Sequence, residues 1–234
     1  MNLAPYGVFC LLAKLFTSQG FSAIINLALY FGTIVFVLFL HASVVYTSIF
    51  SLLTRLNPLT LFKNMRPALL FAFSTSSSNA TMPITLNVAR TRVGAHNSIA
   101  SFTIPLGATV NMDGTAIMQG IATVFIAQAY GLDLAMSEYL AVVATATLAS
   151  IGTAGVPGVG LITLAMVLQQ VGLPVEGIGL IIGVDRLLDM MRTVVNVSGD
   201  GMVTAVVADS EGLLDRDMFN DLSDQDDHQK ANAS

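Results

Sequence analysis

Five polar residues of one apolar segment, Asp185, Asp189, Arg192, Asn196 and Asp200, follow each other at steps of four, three, four and four. A helix carries such residues on a single stripe, and the intervening Leu187, Val194 and Val195 fall off it. Arg192 supplies a planar, permanently charged fork that grips a carboxylate at two points. Asp189, one turn earlier, suits an ammonium group, and Thr193 and Asn196 add neutral hydrogen-bonding groups. A ligand with carboxylate and amine ends, an acidic amino acid, fits this pattern. Asp113 and Asp200 each lie in an Asn/Gly kernel, Asn111-Met112-Asp113-Gly114-Thr115 and Asn196-Val197-Ser198-Gly199-Asp200. Both kernels read as unwound, with carbonyls free for a hard cation such as Na+ that takes oxygen ligands.

The surroundings of these charges are a membrane. The 234 residues are 54% hydrophobic and 11% charged, with a mean hydropathy of +0.73; a soluble domain carries about 25% charged residues. With a net charge of -5 and a pI near 4.9, the chain is no nucleic-acid binder, and its single cysteine, Cys10, makes no internal disulfide. An ionised side chain at the bilayer centre costs about 2.5–3.5 kcal/mol and faces a cavity or a partner. Pairing within the helix, Asp189 with Arg192 and Asp185 with Arg186 or Arg192, answers part of that cost. Four acids (Asp113, Asp185, Asp189, Asp200) against two arginines leave two negative charges unmatched, so cations, a substrate amine or protons must arrive.

The elements that position these groups follow from the apolar pattern. Ser22 to Phe50 carries no acid or base except His41 and is long enough to span; His41 is expected to bond a neighbouring helix. Ala4 to Phe16 is apolar but short, with Lys14 near its end, placed to snorkel to the interface. No basic leader or cleavage site opens the chain at Met1–Gly7. Two later runs, Ser74–Pro83 (STSSSNATMP) and Ser150–Gly160 (SIGTAGVPGVG), interrupt apolar stretches. Irregular backbone at membrane depth survives only inside protein or facing a wet cavity. Basic residues flank the first run (Lys63, Arg66; Arg90, Arg92) and acids the second (Glu138; Glu176), so each enters and leaves on its own side: two re-entrant hairpins with opposed tips. Small residues also permit close helix packing, but two such runs, each followed by an Asn/Asp/Gly kernel, form the inverted pair that points to a secondary transporter's site. The basic connections belong in the cytoplasm. The eleven methionines show no His/Met spacing and read as adaptable packing.

TSSSNATMP, PLGATVNMDGT, ASIGTAGVPG and DRLLDMMRTVVNVSGD, in this order between Pro5 and Ala208, resemble the dicarboxylate/amino acid:cation symporter family of sodium-coupled glutamate and aspartate transporters. The resemblance implies an all-α integral membrane fold, an inverted repeat of re-entrant hairpin plus partly broken helix. Two hairpins and two such helices form a transport domain that slides as an elevator against a scaffold. The expected division is 1–58 residual scaffold helices and 59–208 transport domain, followed by an acidic, solvated cytoplasmic tail at 209–234. Within the transport domain, hairpin 1 covers about 59–95, the broken helix 98–131, hairpin 2 about 138–173 and the last helix 176–208. By resemblance the substrate lies between Ser76, Ser77 and Ser78 of the first tip and Gly155, Val156 and Pro157 of the second. Thr115, Asp189, Arg192, Thr193 and Asn196 meet its polar ends. One Na+ would take backbone oxygens of Gly107, Asn111 and Asn196 with the carboxylate of Asp200, and another those near Thr109, Ser150, Ile151 and Thr153. A third would use Asn111 and Asp113, completed by an earlier helix.

Members of that family carry several more transmembrane helices upstream, so this chain is expected to be a C-terminal fragment of a trimeric, multi-pass protein of a bacterial inner membrane. Some members place another arginine at the first tip or beside the last-helix aspartate; here those positions are Ser76 and Met190. The expected activity is Na+-driven import of aspartate or glutamate, with no organic cofactor and no enzymatic step. A proton-coupled C4-dicarboxylate carrier is the alternative, although a substrate without an amine would leave Asp189 unpaired. Readings of another class are an intramembrane aspartyl protease on Asp113 and Asp200, whose GxGD pattern fails at Val197, and a non-transporting partner subunit.

Overall fold

The computed structural model describes residues 22–221. The expectations for Ala4–Phe16, Cys10 and Lys14, and for tail residues 222–234, lie outside the described residues. Helix α1 (Ser22–Leu40) passes through a π-helical turn (His41–Tyr46) into α2 (Thr47–Thr54). The apolar run Ile25–Thr54 has a mean hydropathy of 2.1 over its spanning window, and its thirty residues are long enough to cross a bilayer. Arg55 ends it with a left-handed φ of 58°.

Asn57 then caps α3 (Pro58–Thr75), its side chain accepting from Leu59 N, with Pro58 fixing the first helical φ. Only Ser76 and Ser77 separate α3 from α4 (Ser78–Thr91). Ser76 turns the chain at φ 53° and Ser77 caps the new helix by accepting from Ala80 N at 3.1 Å. The expected irregular run of hairpin 1 is therefore two residues long, because a serine cap restarts the helix at once and Pro83 falls inside it.

Helices α5 (Asn97–Val110) and α6 (Asp113–Ala129) are one helix broken at Asn111 and Met112. The second hairpin pairs α7 (Met136–Ser150) with α8 (Val159–Gln170). Its tip, residues 151–158, is longer and holds two glycines at positive φ, Gly152 at 79° and Gly158 at 80°. After a 3-10 turn (Val175–Gly177), α9 (Ile178–Ser210) runs for 33 residues.

Helix α9 corrects an expectation: the Asn196–Asp200 kernel is not unwound. Thr193, Ser198 and Thr204 return their hydroxyls to the helix's own carbonyls at 2.7 Å each, Thr193 to Asp189, Ser198 to Val194 and Thr204 to Asp200. The glycines serve close approach instead. A Cβ on Gly201 would come within 2.5 Å of Met65, and one on Gly199 within 2.6 Å of the Tyr46 hydroxyl.

The interior around α9 is filled by Phe50, Met65, Met118, Ile126, Leu164 and Leu188, all fully buried. The outside is apolar too, with Leu52 79%, Phe39 71% and Leu148 70% exposed; such a surface needs lipid or protein against it. The expected boundary at residue 58 is not one in packing. Leu27, Ile34, Leu38 and Phe50 of α1 and α2 share one core with the hairpins and α9, and Tyr30 packs on Phe125 of α6 with ring centroids 4.8 Å apart.

The start of the tail is a second correction. Residues 209–221 fold back rather than extend into solvent. Leu214 pairs with Ala95 as an isolated bridge, and Asp215 N donates to Gly94 O at 2.8 Å. Asp215 caps α10 (Arg216–Asn220), Arg216 holds Asp209 at 2.7 Å, and Phe219 is fully buried beside Phe50. The acids concealed this, because two apolar residues and a cap are enough to dock one turn.

Phe219→Ala should cost about 3 kcal/mol of this docking, accelerating amide exchange over 212–220 by roughly a hundredfold while α1 is unaffected. Unchanged exchange would show that the ring does not hold the segment.

Candidate functional site

Arg192 lies at the centre, its side chain 1% exposed. Its Nη1 donates to Asp185 Oδ1 at 2.9 Å and its Nη2 reaches Asp185 Oδ2 at 3.4 Å. Its Nε donates to Asp189 Oδ1 at 3.0 Å. The i, i+3 and i, i+7 spacings of one stripe thus wrap two carboxylates around one guanidinium, and the triad retains one net negative charge. Asp189 spends its other oxygen on hairpin 2, accepting from Gly158 N at 2.9 Å. Glycines let the neighbouring helices close in: a Cβ on Gly114 of α6 would sit 2.7 Å from Arg192 O, and one on Gly160 of α8 3.0 Å from its Nη2.

The hairpin tips meet above this triad. Gly155 O accepts from Ser77 Oγ at 2.6 Å and from Asn79 N at 3.1 Å. Beneath them is a small cavity of about 20 Å³, room for a water but not for an amino acid. Ser76, Ser78, Thr115, Gly155, Val156, Asp189, Arg192, Thr193 and Asn196 all line it, so the structure brings together nine of the residues the sequence proposed. Ser77 and Pro157 do not line it; Ser77 is turned to Gly155 and to its own cap. Thr153, expected in a cation set, also lines it, as do Met112, Ala154 and Gly160, whose residue types alone carry no chemical signal. The hydroxyl of Ser76 is buried and has no hydrogen-bond partner among the described residues. Buried polar groups are paired as a rule, so an orphan at a cavity wall marks where a ligand atom would go.

Asn196 organises the broken helix. Its Oδ1 accepts from Gly114 N at 2.8 Å, capping α6 from outside. Its carbonyl and the Oδ1 of Asp200 both accept from Asn111 Nδ2, at 3.1 and 3.0 Å. A Cβ on Gly107 would lie 2.5 Å from Asp200 Oδ1, so Gly107, Asn111, Asn196 and Asp200 converge. Asp200 is 3% exposed and has no cationic partner among the described residues. A buried carboxylate among carbonyls is a donor set for a hard cation. The second expected set is also drawn together. Thr109 O accepts from Gly152 N at 2.8 Å and Ser150 O from Thr153 N at 3.1 Å, with Ile151 between.

Asp113 has partners of its own. Its Oδ2 is met by His41 Nε2 at 3.1 Å and by the Tyr46 hydroxyl, which donates at 3.0 Å. A π-helical turn bonds residues five apart, and here it brings His41 and Tyr46 together with ring centroids 4.6 Å apart. The sequence offered His41 only as a generic partner and left Tyr46 unmarked; an irregular turn within an unbroken apolar run has no composition signal. Asp113 and Asp200 make no hydrogen bond to each other, unlike the shared-proton pair of an aspartyl protease.

The sequence also matches those of known proteins. Residues 1–210 match the model of the sodium:dicarboxylate symporter family. The chain belongs to that family. It is 43% identical over 208 residues to excitatory amino acid transporter 3 of Mus musculus, covering 88% of this chain and 40% of that protein. The excitatory amino acid transporter of Caenorhabditis elegans is 41% identical over 209 residues, covering 88% of this chain and 42% of that protein. Excitatory amino acid transporter 4 of Mus musculus is 43% identical over 206 residues, covering 87% and 37% respectively. The chain thus spans about two fifths of the length of the relatives it matches. Sodium:dicarboxylate symporters are multi-pass membrane transporters, not enzymes, and the apolar exterior of this chain is in keeping with that setting.

Gly114→Ala should destabilise the protein by about 1–3 kcal/mol, by prising α6 from the Arg192 backbone. Gly120→Ala on the same helix, where a Cβ meets nothing within 4 Å, should be neutral or gain up to about 1 kcal/mol. Thermal unfolding in detergent compares them; equal melting would remove the close approach as a constraint.

Proposed function

We propose that this chain carries the substrate and cation sites of a Na+-driven importer of an acidic amino acid, aspartate or glutamate. The single observation that carries the reading is the buried cavity where Arg192, Asp189 and the unpartnered Ser76 hydroxyl converge. The substrate carboxylate would take the Arg192 fork, its ammonium would take Asp189 in place of the Gly158 N–H, and Ser76 would bond a remaining oxygen.

Charge explains the coupling. The triad already holds a net negative charge, Asp200 is a further buried acid beside it, and an acidic amino acid brings more negative charge. Concentrating negative charge in a low-dielectric site is costly, so cations must travel with the substrate. Each elementary charge crossing the field contributes about 2.3 kcal/mol per 100 mV, which lets inward Na+ concentrate an anion. In this reading Na+ is held by Gly107, Asn111, Asn196 and Asp200, by the carbonyls near Thr109, Ser150, Ile151 and Thr153, and by Asn111 with Asp113. Because the π-helical turn between α1 and α2 supplies His41 and Tyr46 to Asp113, these helices belong with the moving unit. The unit shifts as an elevator against a separate trimeric scaffold, with the basic ends of hairpin 1 and the C-terminus at the cytoplasmic side.

Radiolabelled L-aspartate binding to the purified protein tests the proposal. Saturable binding in Na+ and none in choline is expected. Arg192→Lys, which keeps the charge and loses the fork, should weaken binding at least about tenfold. Asp189→Ser should shift preference from aspartate towards succinate, because the amine loses its partner. Equal binding in choline, or an Arg192→Lys protein that binds as tightly as the parent, would contradict the reading.

A further inference from the structure

Away from the site, the outer face of α3 forms an apolar groove of about 510 Å³ that reaches Val194 of α9. Leu69, Leu70 and Phe73 line one end of it, Leu59 and Phe62 the end nearest the start of α3, and Lys63 and Arg66 stand between them. Both cations are exposed, and neither makes a hydrogen bond or ion pair among the described residues. Leu70 is 58% and Phe73 39% exposed.

The order along the helix is informative. Leu59 and Phe62 open the groove, two unpaired cations one turn apart follow, and about 10 Å of apolar wall then runs from Arg66 to Phe73. Cations of this kind belong at the cytoplasmic surface, where the leaflet is anionic. From these cations inward this face of α3 presents positive charge and then hydrocarbon, which mirrors a phosphate and then an acyl chain. A membrane protein meets such molecules at high local concentration. We propose that this groove binds one anionic phospholipid, its phosphate held by Lys63 and Arg66 and one acyl chain lying over Leu69, Leu70 and Phe73. The site makes no contact with the substrate cavity and stands whether or not the transport reading does. A lipid held there would tether the base of hairpin 1 to the inner leaflet.

Native mass spectrometry of the purified chain with palmitoyl-oleoyl phosphatidylglycerol or phosphatidylcholine tests the proposal. The anionic lipid should be retained roughly tenfold better than the zwitterionic one, given two cations at the headgroup. Lys63→Gln with Arg66→Gln should abolish that preference without lowering the melting temperature, since both side chains are exposed. Leu70→Ser should weaken retention of both lipids and leave the preference intact. Equal retention of the two lipids by the parent chain would overturn the proposal, as would a preference that survives the double substitution. Full displacement of the anionic lipid by millimolar inorganic phosphate would also overturn it, by showing an ion site without an acyl chain. So would a photoreactive group at Leu70 that captures polypeptide rather than lipid in a phosphatidylglycerol bilayer.

Discussion

One guanidinium shared by two carboxylates organises this molecule. Arg192 is almost fully buried, and Asp185 and Asp189 hold it from the same helix. Removing one partner of such a pair leaves a bare buried charge and costs about 3–5 kcal/mol, so the surrounding elements are built to keep the set intact. Gly114 and Gly160 bring two helices onto it where any side chain would intrude. Asn196, one turn on, completes the start of α6, and Gly158 ties the second tip to Asp189. The charge balance leaves the triad negative, which makes the site receptive to an ammonium group and costly to load with an anion alone.

The two hairpins are alike in topology and unlike in mechanics. Hairpin 1 turns in two residues and is capped on both sides of the turn; its base is stitched to the chain beyond α9 through Gly94, Ala95 and Asn64, which donates to Phe219 O at 2.9 Å. Hairpin 2 has an eight-residue tip with two glycines at positive φ and closes through one hydrogen bond each to Thr109 and Asp189 and two to the first tip. A ligand the size of an amino acid would need this cavity to widen, and of the two tips the second has the greater backbone freedom.

Much of this was legible in the sequence where residue type and spacing speak together. The stripe at four, three, four and four residues, the two small-residue runs and the Asn111–Thr115 break all describe backbone that the structure contains. Legibility failed where the deciding force was tertiary. Asn196–Asp200 resembles the first kernel in composition, yet α9 continues because its hydroxyls bond inside the helix and its glycines receive Tyr46 and Met65. His41 and Tyr46 reach Asp113 only through a π-helical turn, which leaves no trace in hydropathy. The docked turn at Phe219 was hidden among acids whose count suggested solvent. Hairpin 1 looked irregular over ten residues because serine and threonine favour turns, while one well-placed cap confines the turn to two.

The most direct test is the position of L-aspartate in a structure of this protein determined with the amino acid and Na+ present. The expected result is a carboxylate within about 3 Å of the Arg192 guanidinium, the amine on Asp189, and the Gly158 N–H released. Aspartate bound elsewhere, with Arg192 still held by both carboxylates beneath closed tips, would contradict it.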